Sequence, residues 1–347
     1  MTEKILTLSI ASLIGGLFFY LRLPIPFMLG GIIAAAGVKF FLWPEIHWPA
    51  RWRNLGLLVA GYGIGQNFTN ETLVNLSQQM AGVFSATLIA VGLSLFVAWL
   101  TYKHTFANLL SCIMGMLPGG LNQMMLMAEE DPRVDANVVV MEQTTRLFGV
   151  VISVPFLVIH FLGASVVPPD FLGSAAGDPA LTWLYLFPVA GAGGWLAVKM
   201  KVPTPMLIGP ILATAVFSVL YGGALQKVPS LLMDLAQLNI GLFMGCMLDK
   251  KRLFQTRTLF PYALAGTALM VAASTVVAQC LSAWYHFDMV TAFLAMAPGG
   301  IAEMCLAGIS MGADVSTIVT YQIVRVLVMN LTVPFFIHHY FDEKYVG

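Results

Sequence analysis

The sequence predicts an all-α, polytopic membrane protein made of two inverted-topology repeats, each with five transmembrane helices and one re-entrant Pro-Gly-Gly hairpin. Three observations lead to this fold class: the composition, an internal duplication and the positions of the basic residues. Of the 347 residues, 59% are hydrophobic and 10% are charged, with 17 Lys and Arg balancing 17 Asp and Glu. An ordinary soluble domain has about 25% charged residues, so this chain has too little polar surface for a water-soluble particle of its size.

Ten segments are long and apolar enough to span a bilayer, for which a helix needs about 20 mostly apolar residues. Pro and Gly inside such helices are tolerated where neighbouring helices cover the freed backbone groups. The third segment of each half has the weakest signal. In chain order the predicted spans are 5–21, 26–43, 54–68, 80–100, 137–162, 181–198, 204–221, 231–248, 259–285 and 315–340.

Two further apolar segments, 105–129 and 288–312, do not fit this pattern. On each side of a central break they have only about a dozen residues, which is too short for a full crossing. We therefore expect each segment to form a helical hairpin that enters the membrane and returns to the same side. The breaks are the tripeptides Pro118, Gly119, Gly120 and Pro298, Gly299, Gly300.

The chain aligns with itself at an offset of 179 to 180 residues, and the matched residues are mostly Pro, Gly and intramembrane polar residues. Shared hydrophobicity alone does not explain such matches. The duplication therefore predicts a first membrane repeat at 1–164, an extracytoplasmic linker at 165–180 and a second, inverted repeat at 181–347. Matched pairs include Gly15 and Gly194, Pro26 and Pro205, Gly61 and Gly241, Gly65 and Gly245, Asp135 and Asp314, Gln143 and Gln322, and Arg146 and Arg325.

The basic residues orient the repeats, because Lys and Arg collect in short cytoplasmic loops. With five crossings per repeat and the N-terminus inside, 13 of the 17 basic residues are cytoplasmic, and only Arg22 and Lys227 face outward. Six crossings per repeat would move the basic cluster at 250–257 outside, so the charge bias argues against that arrangement. An odd number of crossings inserts the second repeat with opposite topology and leaves both termini in the cytoplasm.

Arg146 and Arg325, which lie within predicted spans, are the most informative candidate site residues. A guanidinium in mid-span costs at least about 2.5 kcal/mol on insertion scales, so each needs a partner or a wet cavity. Gln143 and Gln322, three residues earlier, share the same helical face. One interpretation is that these four residues bind an anion through the planar donors of the arginines. The other is that the arginines anchor hairpin carbonyls or pair with a nearby Glu.

The Pro-Gly-Gly breaks are the second candidate site. Each break ends one half-helix and begins another, which would direct backbone N–H groups and the positive end of a helix dipole toward an anion. The residues predicted to take part in substrate binding at the breaks are Pro118, Gly119, Gly120, Asn122, Pro298, Gly299 and Gly300.

The two repeats differ just after the break, where Gln123 in the first corresponds to Glu303 in the second. An intramembrane carboxylate is a candidate proton carrier or cation ligand, so Glu303 is the predicted coupling group. The alternative is that Glu303 forms a salt bridge with an arginine. Glu142 is the other carboxylate within a predicted span and is a candidate structural neighbour of Arg146.

Several classes of function receive no support from the sequence. No cluster of His, Cys or carboxylates has the spacing of a metal site, so we expect no metal, no other cofactor and no enzymatic activity. The charge balance and the lack of a soluble basic module argue against direct nucleic-acid binding. The four cysteines lie in apolar segments without a CxxC pair and are predicted to be packing residues.

The chain resembles the bacterial membrane AbrB-duplication family. The resemblance rests on the full-length duplication, the segments GMLPGGLNQM and AMAPGGIAEM, and the downstream pair QTTR and QIVR. The family carries two functional labels, one as a regulator of gene expression and one as an ammonia monooxygenase. A copper monooxygenase would need several converging histidines or carboxylates, which this sequence does not group together.

These observations predict a secondary transporter of a small anionic solute in the bacterial inner membrane, with coupling to H⁺ or Na⁺ left open. Inverted repeats with interrupted helices recur in secondary transporters, whose binding sites lie near the membrane midplane. The expected partners are the lipid bilayer and the solute, and a homo-oligomer is left open. Two alternatives remain. One is a membrane-embedded regulator that acts indirectly through a sensed ligand or a partner, and the other is a duplication that serves only to build a stable bundle.

Overall fold

The computed structural model describes residues 2–164, 166, 186–222, 225, 227–248, 250 and 255–341. Within these residues the chain is helical throughout and has no β-strand. Six of the described helices are long and apolar enough to cross a membrane, as predicted for a helical membrane protein. Apart from residue 166, the predicted linker lies outside the described residues, as do the start of the sixth predicted span, the basic residues Lys251, Arg252 and Lys344, and the side chains of Asn122 and of residues 333–341.

Seven helices make up the first half of the chain. They are α1 Thr2–Tyr20, α2 Pro26–Phe41, α3 Ala50–Gly65, α4 Asn70–His104, α5 Leu109–Met116, α6 Leu121–Glu130 and α7 Ala136–Phe161. The second half is described from a π-helical segment, Leu186–Ala190, which leads into α8 Gly191–Lys199. It continues with α9 Pro205–Tyr221, α10 Ser230–Met247, α11 Phe260–Tyr285, α12 Met289–Met296, α13 Ile301–Met311 and α14 Val315–Phe341.

Each of the ten predicted spans coincides with a helical segment, although the sixth is described only from residue 186. The main difference is α4, which has 35 residues where the hydropathy marks out only 80–100. Its first turns are polar, and they begin at a capping box in which Thr69 and Thr72 bond reciprocally. Nothing in residues 70–79 interrupts a helix, so the helix continues beyond the apolar segment. At 1.5 Å per residue its length is about 52 Å, which exceeds a hydrocarbon core of about 30 Å.

The helices pack into two groups, and each group takes helices from both halves of the chain. Helices α1 to α3 pack with α8 to α10, whereas α4 to α7 pack with α11 to α14. The two groups meet mainly where α3 contacts α13 and α14. The broken segments therefore lie in the second group, between the long helices α4, α7, α11 and α14.

Glycines bring the helices of the first group into close contact. A Cβ added at Gly61 of α3 would lie 2.8 Å from Cβ of Pro210 in α9, and one at Gly65 would lie 2.5 Å from the carbonyl oxygen of Ile211. In the same way, Gly241 and Gly245 allow α10 to contact the backbone of α2. The two glycine pairs are therefore packing faces of the small-xxx-small type.

Aspartates cap the two long helices that follow the broken segments. The Asp135 carboxylate accepts from the backbone N–H of Asn137 at 2.9 Å, and the Asp314 carboxylate accepts from the backbone N–H of Ser316 at 3.1 Å. The two aspartates are a matched pair of the duplication. Each cap satisfies an otherwise unpaired N–H group of the first helical turn and fixes where α7 and α14 begin.

Candidate functional site

Both apolar segments that contain Pro-Gly-Gly are broken at the tripeptide, and we call the resulting pairs α5–α6 and α12–α13 the first and second hairpins. Helix α5 ends at Met116 and α6 starts at Leu121. In the second hairpin, α12 ends at Met296 and α13 starts at Ile301. Gly120 has φ of 98°, a conformation that favours glycine and allows the chain to reverse into α6.

The first hairpin is held by two polar side chains of α7. Arg146 is 6% exposed and donates from Nη1 to the carbonyl oxygen of Met116 at 2.7 Å, while its Nη2 donates to Oε1 of Gln143 at 2.7 Å. Gln143 Nε2 in turn donates to the carbonyl oxygens of Met114 at 2.8 Å and Leu117 at 2.9 Å. These carbonyls lie at the C-terminal end of α5, where no further helical N–H group can reach them.

The second hairpin is held in a similar way by α14. Arg325 Nη1 donates to the carbonyl oxygens of Met296 at 3.1 Å and Ala297 at 3.0 Å, and Nη2 donates to that of Gly299 at 3.3 Å. Nη2 also donates to Oε1 of Gln322. Both arginines therefore bind the carbonyl ends of the hairpins, the second of the two roles considered for them. A positive charge at a helix C-terminus also interacts favourably with the helix dipole.

One donor of this network is left over. The Nε group of Arg325 is buried and has no hydrogen-bond partner among the described residues. Arg325 itself borders a small central cavity of about 10 Å³, which also touches Pro118 of the first hairpin and Pro298 of the second. A cavity of this size holds about one water molecule. Residues of both Pro-Gly-Gly breaks and Arg325 therefore line the same cavity.

The arginines of the two halves also interact with each other. Arg146 and Arg325 are close enough for Coulomb repulsion between their guanidinium groups. Two buried like charges in a medium of low dielectric are unfavourable unless negative groups lie nearby. A negative group close to both guanidinium groups would relieve this repulsion.

The two hairpin tips are not equivalent. Glu303, 7% exposed, lies in the first turn of α13, where its carboxylate bends back over Gly300 and accepts from its own backbone N–H. The N-terminus of α13 is therefore occupied by a carboxyl group of the protein itself. At the corresponding place in the first hairpin, α6 has no acidic residue in its first turn, and a Cβ at Gly120 would meet no atom of the described side chains within 4 Å.

Two further polar residues of the site were missed by sequence reasoning. Asn330 in α14 donates from Nδ2 to the carbonyl oxygen of Gly119 at 3.0 Å. Ser274 in α11 borders the central cavity and donates to the carbonyl oxygen of Met296 at 3.2 Å. A lone Asn inside an apolar span is a detectable signal, because intramembrane amides usually have a partner. Ser274 has no comparable signal, because serines are common in membrane helices and often bond their own helix.

A larger cavity of about 380 Å³ lies at the beginning of α4. Its volume falls within the range of about 300 to 1,000 Å³ that is usual for small-molecule pockets. The ring of Tyr285, which lines this cavity, packs directly against Gly82 of α4. The lining residues are Thr72, Asn75, Gln78, Gln79, Tyr285, Phe287, Asp314 and Thr317.

Comparisons with known proteins find similar sequences over nearly the whole chain. The profile of a protein family described as "Transition state regulatory protein AbrB" matches residues 6–340. A protein of Bacillus subtilis (strain 168), YhjN, is 28% identical over 314 residues, which cover 85% of this chain and 80% of the relative. A protein of Escherichia coli (strain K12) with the name "Putative regulator AbrB" is 27% identical over 324 residues, covering 91% of this chain and 90% of the relative.

Proposed function

The chain belongs to the AbrB family, and from the geometry of its two hairpins we propose that it is a secondary transporter of a small anionic solute rather than an enzyme. The central cavity carries this proposal, because Pro118, Pro298 and Arg325 all line it and the buried Nε of Arg325 has no partner among the described residues. A guanidinium that lines the same cavity as Pro118, three residues before α6 begins, suits an anion, because both its charge and the N–H groups of a helix N-terminus attract negative charge.

We propose that the two halves are inverted repeats in the inner membrane, with both termini in the cytoplasm. Two features support a repeated architecture. Non-glycine residues with positive φ recur at Arg22 and Ile25 and again at Lys201 and Thr204, each pair 179 residues apart. In addition, α2 packs on α10 while α3 packs on α9. Because α9 and α10 are the counterparts of α2 and α3 in the second half, each half contributes the same two helices to this contact.

The two helix groups suggest how access to the site could alternate. The central cavity is large enough for only one water molecule, so a solute can enter only after helices separate. Movement of the hairpin group against the group of α1 to α3 and α8 to α10 would open it, as in other inverted-repeat transporters. The larger cavity lies at the predicted outer end of α4, and ten residues, or about 15 Å of helix, separate Gln79 in it from Ile89 at the centre.

The difference between the hairpin tips suggests where the anion binds and how it is coupled. We place the solute near Gly120 at the first tip, where the first turn of α6 has no acidic residue, and we propose that Arg325 also binds it. Glu303 keeps the second tip occupied and is the proposed coupling group. An anion arriving beside Glu303 would repel its carboxylate, and uptake of a proton or Na⁺ would relieve that repulsion.

The second candidate is a membrane-embedded regulator that binds a ligand in the same cavity and acts through a partner. The name of the Escherichia coli relative favours it. Both candidates require ligand binding at the hairpins, and they differ in whether the ligand crosses the membrane.

Binding is tested by thermal unfolding of the purified protein with acetate, inorganic phosphate and methanesulfonate. We expect at least one anion to stabilise the protein, and we expect Arg325→Lys to lose that stabilisation, because it removes the Nε donor and the planar fork while keeping the charge. Arg51→Lys, at an exposed position, should retain the full shift. If no anion stabilises the wild-type protein more than Arg325→Lys, the proposed site is wrong.

A further inference from the structure

Glu142, in α7, is a buried carboxyl group that the proposed transport site does not use. Its side chain is 0% exposed, and no nitrogen or hydroxyl donor among the described residues forms a hydrogen bond with either carboxyl oxygen. It presses against the backbone of Gly115 in α5, where any Cβ would collide with Oε2. The Cys112 thiol of α5, which is a weak donor, interacts with the carboxyl group. A buried carboxylate with only a thiol as donor is strongly unfavourable, because little replaces its hydration.

Arg146 is the natural partner of Glu142 but is engaged elsewhere. The two residues are four positions apart on α7, the spacing at which side chains of a helix meet. Their charges interact, yet the only ion pair within 4.0 Å among the described residues is that of Arg133 with Asp131. The guanidinium instead donates to the carbonyl oxygen of Met116 at 2.7 Å. The first hairpin therefore competes with Glu142 for the same arginine.

We propose that Glu142 is a proton-binding site and that Arg146 controls it by exchanging between the carbonyl end of α5 and the Glu142 carboxylate. With the hairpin in place, Arg146 is bound to α5 and Glu142 carries a proton. When α5 moves away, Arg146 turns to Glu142, the carboxyl O–H bond breaks, and an arginine–carboxylate ion pair forms. The released proton goes to water in the opened cavity, so charge and atoms balance.

The surroundings favour a proton over a metal cation. A sodium or other hard cation needs several oxygen ligands, whereas Glu142 is bordered by a thiol, by the Cα of a glycine and by a guanidinium. Within the described residues, the ionisable groups that interact with Glu142 are Cys112 of α5 and Arg146 of α7 itself. From α11, which also packs on α7, Thr267 lies against Gly149 and carries no charge.

The site belongs to the first half alone. At the offset of 179 residues that aligns α7 with α14, the position of Glu142 is taken by Tyr321. At the offset of 180 residues that aligns the hairpins, the position of Cys112 is taken by Ala292. Glu303 differs from Glu142 because it accepts its own backbone N–H and lies at the positive end of α13. A single proton site with this switch is therefore expected, distinct from the coupling group proposed at the second hairpin.

Infrared spectroscopy of the protein in an ester-free detergent such as dodecyl maltoside tests this directly, without any solute. We expect the difference between the wild-type and Glu142→Gln spectra at neutral pH to contain the carbonyl stretch of a protonated carboxylic acid. The difference between the wild-type and Glu130→Gln spectra, from an exposed glutamate, should lack it. A wild-type minus Glu142→Gln spectrum of folded proteins without that band would overturn the proposal.

A second variant covers the case in which Glu142→Gln does not fold. Cys112→Ser places a stronger hydrogen-bond donor beside the carboxyl group with little change in volume, so it should shift the band to lower frequency. Cys305 is a buried cysteine of the second hairpin, so Cys305→Ser should leave the band unchanged. A band whose frequency is the same in both variants as in the wild-type protein would count against Glu142 as its source. This inference depends on the proposed transport only for its role in coupling. Absence of anion binding or flux would refute the transporter and leave the infrared result standing.

Discussion

The side-chain amide of Asn330 donates a hydrogen bond of 3.0 Å to the carbonyl oxygen of Gly119, which joins the last helix of the chain to the tip of the first hairpin. The same amide donates to the carbonyl oxygen of Val326 at 2.8 Å. A reciprocal contact exists on the other side, where Val150 of α7 packs against Gly299. Each hairpin tip is therefore held by its own arginine helix and also touches the arginine helix of the opposite half.

This link predicts the effect of Asn330→Ala. Removal of the amide leaves the carbonyl of Gly119 without that donor in a buried position, which costs about 1 to 3 kcal/mol. We expect a corresponding loss of stability in thermal unfolding in detergent. The control is Asn137→Ala, at an exposed position, which should change stability by less than about 0.5 kcal/mol. Equal effects of the two changes would show that the amide of Asn330 does not hold the hairpin.

Substitution of Arg146 or Arg325 should destabilise the protein more than Asn330→Ala does. In Arg146→Ala and Arg325→Ala, carbonyls at the ends of α5 and α12 lose their charged donors, and removal of one partner from a buried charged network costs about 3 to 5 kcal/mol. Unfolding should therefore occur at much lower temperature or denaturant concentration in both variants. Arg51→Ala, which removes an exposed arginine, should unfold close to wild type. Near-wild-type stability of both buried variants would mean that the hairpins are not held by these side chains.

The close contact between α2 and α10 predicts opposite effects for two glycines. Gly241→Ala places a methyl group against the backbone of Met28 and should destabilise the protein by at least about 1 to 3 kcal/mol through overpacking. Gly37→Ala in α2 meets nothing within 4 Å and should stabilise the helix by up to about 1 kcal/mol. Unfolding of the two variants under identical conditions measures both, and a tolerated Gly241→Ala would contradict the described packing of α2 on α10.

The proposed orientation predicts which ends of α4 can be labelled from each side. Asn75 and Lys103, at opposite ends of α4, are both exposed. In a Cys280→Ser background, because Cys280 is itself exposed, Asn75→Cys should react with a membrane-impermeant maleimide on intact cells. Lys103→Cys should react only after the membrane is opened. The reverse result would place the N-terminus outside.

Much of the fold could be predicted from sequence because the relevant forces act locally. Long apolar segments must be helical in a bilayer, and Pro-Gly-Gly must interrupt a helix, so the helices and the breaks near Gly119 and Gly299 were predicted correctly within the described residues. The beginning of α4 was placed ten residues too late, because hydropathy marks the apolar part of a helix and not its polar extension.

The site was less predictable because it depends on contacts between distant parts of the chain. The sequence identified Arg146 and Arg325 as residues that need partners, but hairpin carbonyls and a bound anion satisfy that need equally well. Only the packed structure shows that both arginines donate to hairpin carbonyls and that Arg325 Nε has no partner among the described residues. Likewise, Glu142 was expected to neighbour Arg146, and the structure shows that Arg146 donates to the carbonyl oxygen of Met116.

Passage of a small anion across the membrane, through the site between the hairpins, is tested most directly by uptake into proteoliposomes. The solute is the radiolabelled form of the anion that stabilises the purified protein most strongly. We expect uptake well above that of empty liposomes with the wild-type protein, and loss of that uptake with Arg325→Lys at equal protein incorporation. Uptake no greater than in empty liposomes, despite binding that depends on Arg325, would contradict transport and favour a ligand-sensing regulator.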